Sequence, residues 1–154
     1  MKIHLVLNIS KNALTTTDLP WTIPVLEKLL PEVLASTCYN DSDLPFRIEV
    51  KNTETGHLFE HILLECLCQE KLSQGYKQVA FRGETSWNWK KENKGTFNIT
   101  VEMKREDQAL LPNALSRSIN LFKLIVNNKL SATKHSQTIN LSTPLPFSYQ
   151  PTRS

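Results

Sequence analysis

The sequence predicts a single α+β domain: a mixed or antiparallel sheet with helices packed on one face, in the order β-α-β-α-β-β-α. Three observations point there. Apolar and polar residues alternate at Phe46 to Val50 and at Thr96 to Met103, the period of a half-buried strand. Leu, Ile and Val recur at helical spacing in three longer stretches. Strand and helix patterns are interspersed along 154 residues, a length suited to one core.

Lys2 to Ile9, rich in Ile, Leu and Val, reads as the first strand. Asp18 and Pro20 then supply helix-start chemistry. Trp21, Val25, Leu26, Leu29, Leu30, Val33 and Leu34 follow as a helical stripe, which Pro31 should end or kink. Asn40 to Asp43 is a turn, and Phe46 to Val50 the second strand. Asn52 to Gly56 caps a helix over about His57 to Ser73, stopped by Gly75. Gln78 to Arg82 reads as a short strand. A lysine-rich connection, Trp87 to Lys94, leads to the strand Thr96 to Met103. Asp107 caps a last helix with Leu111, Leu115, Ile119, Phe122 and Val126 on its buried stripe. The domain is expected to span 1–128. Residues 129–154, dominated by Ser, Thr and Pro, read as a tail, loose or weakly docked.

Hydrophobic residues make up 40% of the chain, enough for a core and too many for a disordered chain. A net charge of +3 gives no electrostatic case for nucleic acid. The Trp87-Asn88-Trp89-Lys90-Lys91 run reads first as a hairpin with one face packed. No stretch approaches the roughly 20 apolar residues of a membrane helix, and Met1 to Ser10 lacks a signal-peptide pattern. A cytoplasmic protein is the expectation. Three cysteines, Cys38, Cys66 and Cys68, do not suggest a disulfide framework. Cys38 and Cys66 read as small apolar filler.

The chemistry lies in His57-Leu58-Phe59-Glu60-His61. On a helix His61 stands about 40° round from His57 and Glu60 about 60° to the other side. Two imidazoles one turn apart can close on one ion, and zinc in a catalytic site takes three protein ligands and leaves a position open. A carboxylate beside the ion but not bound to it can remove a proton, the role expected of Glu60. The order His-x-x-Glu-His is an inverted zinc-hydrolase signature. His57 and His61 are the expected metal ligands. The third is expected to be Glu84, with Glu102 and Cys68 behind it. Glu65, about 12 Å along the axis from His57, is expected to orient the His61 ring, or else to stand as an alternative ligand.

The segment Gly56-His57-Leu58-Phe59-Glu60-His61-Ile62-Leu63-Leu64-Glu65 resembles one in the N-terminal domain of cyanophycin synthetases. Leu26 to Pro31 followed by Cys38, Arg82-Gly83-Glu84-Thr85, and Thr96 to Glu102 resemble further stretches of that domain, in order. Those synthetases join aspartate and arginine with ATP through two larger modules, which 154 residues cannot hold. The resemblance is to the accessory domain, expected here as a stand-alone chain. It implies a domain that binds the polymer and in some members cleaves it. It further implies His57 and His61 as zinc ligands, Glu60 as base, and Glu84 with Arg82 in the turn completing the site, where Arg82 could stabilise charge. Two readings follow. One is a metal-dependent hydrolase of amide bonds in a peptide or an Asp/Arg polymer. The other is a non-catalytic polymer-binding or assembly module, with regulation of a synthetase partner in trans as a variant.

Overall fold

The structure, a computed structural model, describes residues 1–38, 43–133 and 147–150. The elements are β1 (Lys2–Asn8), α1 (Thr22–Leu29), α2 (Glu32–Ala35), α3 (Phe46–Glu49), α4 (Thr55–Ser73), β2 (Arg82–Ser86), β3 (Thr96–Glu102), α5 (Leu111–Thr133) and β4 (Phe147–Gln150). Short 3₁₀ turns lie at Lys11–Ala13, Thr16–Asp18 and Arg105–Leu110. No helix among the described residues is long and apolar enough to cross a membrane.

The sheet is antiparallel at every described pairing, in the order β2-β3-β1-β4. Its two faces follow from strand alternation. Ile3, Leu5 and Leu7 on β1 and Phe97, Ile99 and Val101 on β3 are buried in the core, on the face of the sheet that meets α4. Lys2, His4, Thr96, Asn98, Thr100 and Glu102 stand on the other face. There Lys2 pairs with Glu102 at 3.3 Å and His4 Nδ1 lies 3.0 Å from Thr100 Oγ1. The expected α+β class with helices on one face is what the chain adopts.

One expected element changes type. Phe46–Glu49 is the helix α3, with Val50 its C-cap, not a strand. Five alternating residues also satisfy helical spacing: Phe46 and Val50, four apart, are buried, while Ile48 between them is half exposed. The third strand starts later than expected, at Arg82 rather than Gln78. Pro31 breaks the first helical stripe into α1 and α2, as its missing N–H requires. The last helix continues past 128 to Thr133, and Phe147–Gln150 pairs with β1 as an edge strand. The rest of the Ser/Thr/Pro-rich stretch, 134–146 and 151–154, and residues 39–42, which include most of the expected turn, lie outside the described residues.

Helix α4 is the centre of the molecule. It packs on β2 and β3 on one side and on α5 on the other, where Phe59 meets Phe122 edge to face at 5.4 Å. Lys71 near its end is buried with Asp107, Nζ to Oδ1 2.7 Å. Its first turn presses on the sheet at Gly56, where a Cβ would stand 2.4 Å from Phe97 Cγ. That contact sets how deep the helix sits. Gly56→Ala is therefore expected to destabilise the fold by about 1–3 kcal/mol, the cost of overpacking a close-packed site. A lowered urea midpoint at unchanged slope checks it.

Candidate metal centre

The polar face of α4 is buried rather than solvated. Glu60 is 5% and His61 8% exposed, with His57 half buried. The two imidazoles turn toward α2 and α3, where they converge. His57 Nε2 and His61 Nε2 are 3.1 Å apart, and Cys38 Sγ lies 3.3 Å from His57 Nε2. One donor atom from each of Cys38, His57 and His61 falls within 4.8 Å of the others, a group able to hold one metal ion.

The far side of each ring is fixed by a hydroxyl. Ser36 Oγ gives its proton to the Val33 carbonyl at 2.7 Å, so it can only accept from His61 Nδ1, 3.2 Å away. This puts the His61 proton on Nδ1 and leaves Nε2 a bare lone pair aimed at the cluster. Thr53 Oγ1 lies 2.8 Å from His57 Nδ1. It can donate or accept, so His57 can free Nε2 in the same way. Phe46 stacks flat on His61, centroids 3.8 Å apart, and meets His57 edge on. Burial lowers the pKa of His57, against the pull of Glu49 and Glu54. Burial, with His57 adding to it, brings His61 down to about 3. Neutral imidazole is the form that binds metal.

Cys38 is placed by loop closure. Phe46 N donates to Ser36 O at 2.8 Å and Cys38 N to Leu44 O at 3.2 Å, clipping the segment between α2 and α3 shut at its base. Cys38 was expected to be apolar filler. It is buried as filler would be, but its sulfur faces the two imidazoles. Its one sequence signal was its place after the Leu-Leu-Pro helix, in the stretch resembling the synthetase domain.

Glu60 stands outside the donor group. Its carboxylate turns to β2, where Thr85 Oγ1 donates to Oε2 at 2.5 Å. Burial raises its pKa to about 7, with Thr85 opposing and Glu84 assisting. Gly83 makes room for it: a Cβ there would lie 2.9 Å from Glu60 Oε1. Gly83 and Thr85 thus face α4, and alternation turns Arg82, Glu84 and Ser86, all exposed, to the opposite face. Glu84 and Arg82 are not brought to the histidines. Glu102 is engaged with Lys2. Cys68 contacts the Val79 carbonyl at 3.9 Å. Glu65, expected to orient His61, accepts instead from Gln69 Nε2 at 3.4 Å, and Ser36 holds the ring.

The model of the cyanophycin synthase-like N-terminal domain matches residues 2–127, every element from β1 to most of α5. The chain belongs to that family. No curated protein matches it with significance. For this cyanophycin synthase-like domain the donor set fits a borderline-soft ion. One thiolate and two imidazoles suit zinc, and three protein ligands are the number catalytic zinc sites carry. The hydroxyls behind the rings are the outer support such ligands need. Ser36→Ala is accordingly expected to weaken the binding of whatever metal ion the group takes up about 10–100-fold with the fold intact. Competition against a chromophoric chelator reads the affinity, and circular dichroism the fold.

Proposed function

We propose that this domain is a metal-dependent hydrolase of amide bonds in a peptide-like polymer, with Cys38, His57 and His61 holding zinc. The observation that carries the reading is the convergence of the two Nε2 nitrogens and the Cys38 sulfur, with Glu60 next to His61 in sequence but outside the donor group. Zinc bound there would act as a Lewis acid and make water acidic enough to deprotonate near neutrality. The chain's own part is to hold and move the proton. Glu60, on the turn between the two histidines and steadied by Thr85, takes a proton from the attacking water and returns it to the leaving amine. Ser36 and Thr53 keep both rings turned inward. The family's name supports an aspartate and arginine polymer as the substrate.

A second reading has its own support. Cys38 is 3% and His61 8% exposed, so much of the cluster is shut from solvent. That favours an ion that clamps α2, α3 and α4 together in a non-catalytic polymer-binding or assembly module, including one acting on a synthetase partner.

Zinc content and release of new amino termini from an Asp/Arg polymer separate the two. The wild-type chain is expected to bind one zinc and cleave, and a chelator to stop cleavage. Glu60→Gln should keep the zinc and lose about 10²–10⁴-fold in rate, the usual worth of a general base. Cys38→Ala should lose the zinc. If wild-type and Glu60→Gln proteins bind zinc equally and neither cleaves, the second reading replaces the first.

A further inference from the structure

The outward turn of Arg82 gives it a different setting. The start of β2, the end of β3, the last turns of α4 and the Arg105–Leu110 turn line an open cavity of about 560 Å³, within the range of small-molecule sites. Its charged lining is Lys2, Lys71, Arg82 and Lys104 against Glu102 and Asp107. Both carboxylates are already taken. Asp107 holds Lys71 at 2.7 Å, and Glu102 holds Lys2 at 3.3 Å.

Strand register isolates Arg82. Glu102 lies between two cationic neighbours, opposite Lys2 on β1 and Arg82 on β2, and it pairs with the lysine. Among the described residues Arg82 makes no ion pair. Among the described residues Lys104 pairs with Glu106 alone, at 3.9 Å, both side chains largely exposed, an arrangement of little energetic worth. Two cations therefore face the cavity with their charge unspent, one of them a guanidinium with five donors in a fixed fork. Phe81 and Met103 give the same cavity an apolar wall.

We propose that this cavity binds a small molecule through an oxyanion, a carboxylate or a phosphate, gripped by Arg82 and Lys104 with its body against Phe81 and Met103. The site is separate from the Cys38, His57 and His61 cluster, and does not depend on what that cluster does.

Titration calorimetry of the full chain with two probes, N-acetyl-aspartate and inorganic phosphate, tests it and tells the two sources apart. At least one probe is expected to bind one-to-one, more weakly as salt rises. Arg82→Ala should weaken binding by about tenfold or more, and Arg82→Lys, which keeps the charge but not the fork, by less. Stripping metal with a chelator should leave the affinity unchanged, which sets this site apart from an anion bound to zinc. Circular dichroism verifies that the variants fold. Absence of binding by both probes, binding that survives Arg82→Ala, or binding lost with the metal overturns the proposal.

Discussion

Burying the polar face of α4 is the constraint that organises this molecule. A histidine, a carboxylate and a half-covered second histidine have been withdrawn from water on one turn of helix. Each unsatisfied group there would cost about 1–3 kcal/mol, a large share of a domain's net stability. The structure meets the demand from separate segments: Ser36 and Cys38 after α2, Thr53 before α4, Thr85 on β2. Among the described residues no buried side-chain nitrogen or oxygen is left without a partner. The loops are therefore shaped as much by the helix's polar atoms as by its apolar ones.

The segment between α2 and α3 shows this best. Its backbone closures, Phe46 to Ser36 and Cys38 to Leu44, bring a hydroxyl, a thiol and an aromatic ring onto the same two imidazoles. Phe46 is fully buried and lies flat on His61. It excludes water from one side of the ring, and burial is the leading cause of that ring's low pKa. Stability and metal readiness have one origin here: a neutral imidazole packs well against phenylalanine and also presents a lone pair.

Much of this was legible in the sequence. The helix bearing His57, Glu60 and His61 announces itself by periodicity, and the motif's spacing places the two rings together. What stayed hidden depends on long-range closure or on parity. Cys38 reaches the site because a loop folds back on itself, and no local pattern encodes that. Phe46 to Val50 was ambiguous in principle, since a five-residue alternation places its first and last residues on one face of either a strand or a helix. Glu65 failed as an orienter because Gln69, one turn on, was nearer to hand, while the hydroxyl that holds His61 comes from another helix end.

Parity decides the fate of the Arg82-Gly83-Glu84-Thr85 turn. Only one of its two alternating pairs can face α4. Gly83 must, because the Glu60 carboxylate occupies the space its side chain would fill, and Thr85 then follows two residues on to donate to the same carboxylate. The charged pair is thereby committed to the other face, where β3 sets Glu102 opposite Arg82 and Thr100 opposite Glu84. A register shift of one residue would reverse every one of these assignments. It would drive an arginine and a glutamate against a buried carboxylate. The missing Cβ at Gly83 thus does two things at once: it seats the Glu60 carboxylate against β2 beside Thr85, and it turns Arg82 out toward the cavity at the start of β2.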